Sequence, residues 1–224
     1  MSFWDPLLLS LKLAVITTAI LFLVSLPLAN WLAFSKSRTK IVVEALVSMP
    51  LVLPPTVLGF YLLLAFSPSN AFGEWLDQWL GIQLIFSFEG LVLASVIYSL
   101  PFMVQPIQSG LSALPVSLKE ASYVLGASRL RTFFSILLPN VKRSLLTGGI
   151  LSFAHTIGEF GVVLMTGGNL PGKTRVASIA IYDKVEGLDY TTANTYSLIL
   201  FAVAFSILLL VYILNGTYFK PVSK

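Results

Sequence analysis

The chain has 224 residues, of which 56% are hydrophobic and only 11% charged, and its mean hydropathy is +0.88. Soluble domains carry roughly a quarter of their residues charged, so a water-facing globule is excluded and most of the exterior must face lipid. The net charge of +4 is no nucleic-acid signature, because its placement follows membrane topology, and the absence of cysteine excludes disulfides and thiolate metal sites.

In chain order, apolar stretches over Leu7–Phe34, Ile41–Phe66, Gly90–Gly110, Leu145–Thr166 and Asn194–Phe219 predict membrane spans. Each reaches the roughly 20 residues that cross about 30 Å of hydrocarbon. The expected fold is all-α and polytopic, about five transmembrane helices in one domain over 1–224. Met1–Pro6 offers no basic n-region and no cleavage site, so the first run reads as a retained span. Between the spans, Ser35–Lys40 is short and basic. Ser67–Glu89 is acidic and holds an amphipathic piece at Glu74–Leu80, with Trp75 and Trp79 placed for an interface. Leu111–Ser144 is long, basic and amphipathic, and Gly167–Ala193 is polar.

If Ser35–Lys40, Leu111–Ser144 and the C-terminus share one side, that side holds ten of the 14 basic residues. They are Lys36, Arg38, Lys40, Lys119, Arg129, Arg131, Lys142, Arg143, Lys220 and Lys224; the other side holds Lys173, Arg175 and Lys184, and Lys12 lies within the first span. The positive-inside rule then puts these loops and the C-terminus in the cytoplasm and the N-terminus outside, as an odd number of spans requires.

The loop over about 115–140 reads as two short helices. Ser117 and Glu120 have capping-box spacing, Gly126 is placed as a left-handed stop, and Ser128 can cap a second helix. In that helix Leu130, Phe133, Phe134 and Leu137 recur on one stripe, and Pro139 separates it from the next span. Physics alone leaves two readings: an amphipathic loop resting on lipid, or a docking element.

The residues Glu120-Ala121-Ser122, then Gly126-Ala127, then Ile136-Leu137-Leu138-Pro139 resemble the EAA loop of ABC importer permeases, with Ser122 in place of the second alanine. The resemblance implies that Glu120, Ala121, Ser122, Gly126, Ala127, Ile136, Leu138 and Pro139 couple the membrane spans to an ATPase subunit. Met49–Gly59, Gly158–Gly161 and Pro171–Arg175 resemble molybdate permease subunits in particular, with tungstate and sulfate permeases as close relatives. That likeness implies a type I ABC importer fold in a bacterial inner membrane. It also implies a second copy of the chain, a cytoplasmic ABC ATPase and a periplasmic or extracellular oxyanion-binding protein as partners, with no cofactor or nucleic acid.

Gly167-Gly-Asn-Leu-Pro-Gly172-Lys173-Thr174 matches the phosphate-binding loop pattern, yet that pattern needs a strand before it and a helix after it in an α/β sheet. A span precedes it here, on the side away from cytoplasmic ATP, so it reads as coincidence.

Ionisable groups inside a membrane are functional candidates. Glu159, about 22 Å along the fourth span from Ser144 at 1.5 Å per residue, lies in the outer half between Gly158 and Gly161. A bare carboxylate repels an oxyanion, so a positioning role is expected, either paired with Lys12 in a polar network or bonded to backbone while Lys12 snorkels. His155, Ser152 and Thr156 offer donors suited to a weak anion path, although a lone histidine also serves structure. Pro50, Pro54 and Pro55 must bend or open the second span, as a gate or as a static kink. Pro101 and Pro106 read alike in the third, with Gln105 and Gln108 as lining groups. No His, Asp and Glu cluster has metal-ligand spacing, and no catalytic constellation is present. A self-contained secondary carrier would need inverted repeats or a midplane carboxylate, and neither is found.

Overall fold

The computed structural model describes residues 3–214, all helix, turn and irregular backbone with no strand among them. The ten C-terminal residues, with Phe219, Lys220 and Lys224, lie outside the described residues.

Three helices are each long and apolar enough to cross a membrane: α1 (Trp4–Phe34), α5 (Phe88–Ser112) and α12 (Tyr190–Leu214). Two further spans are broken pairs. α2 (Thr39–Val52) and α3 (Pro55–Phe66) meet at 114°, and α9 (Lys142–Gly158) and α10 (Gly161–Gly167) at 59°. The total is five if each bent pair is one span. Shorter helices complete the chain: α4 (Ala71–Leu80), α6 (Val116–Val124), α7 (Arg129–Thr132), α8 (Leu138–Asn140) and α11 (Ala177–Glu186). α4 realises the amphipathic piece expected around Trp75 and Trp79, both of which are exposed, and Gly81 ends it at φ +63°.

α5 is the hub, packed against α1, α2, α3, α9 and α10, whereas among the described residues α12 packs mainly on α11 and α9. Lipid supplies no hydrophobic force to drive helices together, so association relies on close backbone approach and interhelical hydrogen bonds. The buried face of α1 shows this: Ser10, Ala14, Thr17, Leu21, Ser25 and Ala29 recur every three or four residues. Its Leu21, Ala29 and Leu32 join Val47 of α2, Met103, Val104, Ile107 and Leu111 of α5, and Leu137 and Val141 in one core at the end of the bundle that carries the 113–141 loop.

Proline did not act uniformly. α5 continues as one helix through Pro101 and Pro106, and α2 through Pro50. The second span breaks at Leu53 and Pro54, both extended at ψ 135° and 137°, and Pro55 opens α3 in the first-turn position where its missing N–H costs nothing. Gln105 and Gln108 link two helices. Their amides donate to Ser48 Oγ (3.2 Å) and Glu44 Oε1 (2.5 Å), tying α5 to α2.

Candidate functional site

The 113–141 segment is built locally. α6 begins at Val116, one residue after Pro115 (φ −57°), and Leu118 N–H bonds the Pro115 carbonyl. The expected Ser117–Glu120 capping box does not form, because proline's fixed φ starts the helix earlier than the Ser117 side chain could cap it. The stop is as expected: Gly126 sits at φ +77°, with its N–H on Tyr123 C=O and Ala127 N–H on Ser122 C=O, a Schellman pair. Ser128 caps α7 by accepting from Arg131 N–H at 3.3 Å.

Pro139 widens the chain before ending it. It lacks an N–H and crowds the carbonyl four residues back, and residues Phe133–Leu137 form one π-helical turn in which Leu138 N–H reaches Phe133 C=O. The Asn140 side chain covers the Ile136 carbonyl at 2.7 Å, and the true break falls at Val141. The expected stripe splits accordingly. Leu137 is buried and Phe133 half-buried, while Leu130 and Phe134 point outward.

The motif residues divide by role. Ser122 is buried, and its hydroxyl shares a 2.6 Å bond with that of Thr132, pinning α6 to α7. Ser122 stands where the motif has its second alanine, and the partner that gives its hydroxyl a use lies ten residues on. Ala127, Ile136 and Leu138 are half-buried, while Glu120, Ala121, Gly126 and Pro139 are exposed. Beside them Val124 and Leu125 are 87% and 86% exposed, together with Val116 and Leu130. A segment anchored into the bundle by Leu137 and Val141 thus carries exposed apolar side chains.

A second constellation lies inside the bundle where the two broken spans cross. Glu159 (ψ 135°) and Phe160 (φ −130°) leave helical geometry between α9 and α10. The freed Glu159 carbonyl accepts from Ser178 Oγ of α11 at 2.5 Å, and its buried carboxylate accepts from Ser95 Oγ of α5 at 2.8 Å. One turn along α5, Ser99 Oγ lies 2.9 Å from His155 Nδ1 and 3.2 Å from Thr156 Oγ1. His155 also stacks on Phe102. Ser152 is fully buried.

Pro54 and Pro55 reach this place from the other span. A Cβ on Gly161 would stand 2.7 Å from Pro55 Cβ, and one on Gly59 would stand 2.8 Å from Met165 Cβ. Only glycine lets α3 lie this close on α10.

Of the two arrangements open to Lys12 and Glu159, the direct ion pair is absent among the described residues. Lys12 Nζ rests 4.6 Å above the Phe88 ring. Phe88 and Ser95 are seven residues apart on α5, about 10 Å along its axis, so the two charges engage it at different heights. Glu44 was missed altogether. Placed one turn after Lys40 in an apolar run, it pairs with Lys40 at 3.7 Å and accepts from Gln108. The i, i+4 spacing to Lys40 was the available signal.

The phosphate-loop pattern folds on itself. α10 precedes it, Thr174 is buried, and the Thr174 hydroxyl donates to Gly167 C=O at 2.6 Å and accepts from Leu170 N–H. That hydroxyl is spent on closing the loop.

Over residues 9–221 the chain matches the family described as binding-protein-dependent transport system inner membrane component. It is 49% identical over 187 residues to the molybdenum transport system permease protein ModB of Azotobacter vinelandii, covering 83% of this chain and 82% of that one. The corresponding protein of Escherichia coli K12 is 38% identical over 187 residues, covering 82% and 80%. Among solved structures, a bacterial ABC transporter involved in import of the acidic polysaccharide alginate superimposes with TM-score 0.80 at 18% identity, over 98% of this chain and 82% of that one. At that identity the likeness speaks to fold alone.

Proposed function

The chain belongs to the family of binding-protein-dependent transport system inner membrane components, and from that premise we propose that it is the membrane-spanning permease of an ABC importer for molybdate. Two copies form the translocation path, a soluble binding protein delivers the anion, and a partner subunit hydrolyses ATP. The chain is a transport subunit and brings no catalytic group of its own.

The observation that carries this reading is the exposed Val116, Val124, Leu125 and Leu130 surface on a segment rooted in the core through Leu137 and Val141. Such a segment can pass movement of a docked partner to α1, α2 and α5, because packed interiors transmit strain. Glu120, Ala121, Gly126 and Pro139 border that surface; Ser122, Ala127, Ile136 and Leu138 set its shape. By the distribution of Lys and Arg, this loop and the C-terminus face the cytoplasm and the N-terminus faces outward.

The path opens and closes where the two breaks cross. Pro54 and Pro55 on one side and Glu159 on the other set the bend, with Pro50, Ser152 and His155 behind them. Glu159 and Ser152 lie inside the protomer, which suits support of the gate better than contact with the anion. Affinity for the relatives' substrate class needs only neutral donors and a cavity that releases.

Co-purification tests the assembly: an ATPase subunit comes down with the wild-type chain and is lost with Gly126→Val. Uptake that runs on an ion gradient with no ATPase would sink the reading. Competition among molybdate, tungstate and sulfate for uptake by the reconstituted complex tests the substrate, and molybdate should win.

A further inference from the structure

A cavity of about 390 Å³ opens between the end of α1 and the α6–α7 corner, with room for roughly a dozen waters at liquid density. Its ionisable lining groups other than Tyr123 are Lys119 and Arg129, both basic, and no carboxylate is among the lining residues. Among the described residues neither cation has an acidic partner within 4 Å. Lys119 Nζ lies 4.1 Å above the Phe34 ring. That contact fixes the ammonium at the cavity wall and leaves its hydrogen-bond donors unspent.

Neutral donors complete the wall. The Ser35 hydroxyl accepts from Ser37 N–H at 3.2 Å, so its own proton is free to donate. Tyr123 and Asn30 add a phenol and an amide. Trp31, on the last turn of α1, is 39% exposed beside them, and a tryptophan at a helix end marks the level of the headgroups. Two uncompensated cations, donors and an interfacial aromatic form a receptor for a tetrahedral oxyanion.

We propose that this cavity binds a phosphate-class anion and that the bound anion bridges α1 to α6. Two sources share that chemistry: the headgroup phosphate of an anionic phospholipid, and a free tetrahedral oxyanion in solution. Either one would tie the position of α6 to the end of α1 and so make the exposed surface of α6 responsive to an occupant. The cavity is separate from the crossing of the broken spans, and its binding does not depend on the nature of the transported substrate.

The test uses the full-length protein in detergent, together with any ATPase subunit bound to it. Binding of spin-labelled phosphatidylglycerol is measured against labelled phosphatidylcholine, then challenged with inorganic phosphate and with molybdate. Wild type should prefer phosphatidylglycerol, or bind the free anions, and Lys119→Gln with Arg129→Gln should lower that binding at least tenfold. Lys142→Gln with Arg143→Gln, which removes two charges outside the cavity, should change it less than twofold. Lys119→Arg with Arg129→Lys should keep it within about threefold, which separates lost charge from lost fold. Displacement of the lipid by neither soluble anion assigns the site to the headgroup; displacement, or direct binding of the soluble anions alone, assigns it to the free oxyanion. Equal binding by wild type and the Gln double variant, equal loss in the control pair, or no anion preference in wild type would each overturn the proposal.

Discussion

Two spans are broken, and they are broken by different means. In the second span the break is local: Pro54 fixes φ at −54° and Pro55 starts the next helix, so the chain bends whatever surrounds it. In the fourth span no proline intervenes. Glu159 takes nearly the same geometry as Leu53, ψ 135° in each, but it is held there by Ser178 on its carbonyl and Ser95 on its carboxylate. One bend is written in covalent geometry and the other in tertiary hydrogen bonds. The first cannot be relieved without changing a residue, whereas the second rests on contacts made by α5 and α11.

Substitutions at the crossing can break or sharpen that contrast. Gly161→Val should have the largest effect, because its Cβ meets the rigid Pro55 ring at 2.7 Å and overpacking costs about 1–3 kcal/mol or more. Thermal unfolding of the purified complex reads it, and an unchanged midpoint would mean the two breaks do not bear on each other. Glu159→Ala comes next. Leaving the buried Ser95 hydroxyl unpartnered costs about 1–3 kcal/mol, so less complex should assemble, with the affinity for the anion unaltered and Glu159→Gln milder. Changed affinity with normal assembly would instead put Glu159 on the path.

Ser178→Ala, which removes one donor from the Glu159 carbonyl, should cost about 1 kcal/mol and raise hydrogen exchange at the start of α10. Ser122→Ala should cost a similar amount in the other region, loosening α6 against α7, as proteolysis of the 113–141 loop would report. Pro54→Ala should be the smallest change in stability, about 0.4–1 kcal/mol through a freer unfolded chain, because the Gly59 and Gly161 contacts still hold α3. A loss as large as that of Gly161→Val would mean the proline bend, too, depends on its neighbours.

Much of this was legible without coordinates. Helix placement follows from apolar runs long enough to cross lipid, since backbone polar groups there must be satisfied within the segment. Gly126 and Ser128 were readable because caps act over a few residues and depend on one φ angle or one short side chain. The same locality misled at Ser117, where Pro115 began the helix first. A single proline inside a helix removes one backbone hydrogen bond, and α5 continues past both of its prolines, whereas the adjacent pair Pro54–Pro55 also holds Pro54 extended.

What only the tertiary structure decided is pairing. Ser95 with Glu159, Ser178 with the Glu159 carbonyl, Pro55 with Gly161 and Gln108 with Glu44 join residues from 19 to 106 positions apart. No periodicity encodes such distances. By itself the sequence determined that this chain lives in a membrane, roughly where it crosses, and where the 113–141 loop turns, because partition into lipid and helix capping are properties of short segments. That the fourth span breaks at Glu159, where no proline compels it, depends on contacts that exist only once the helices have packed.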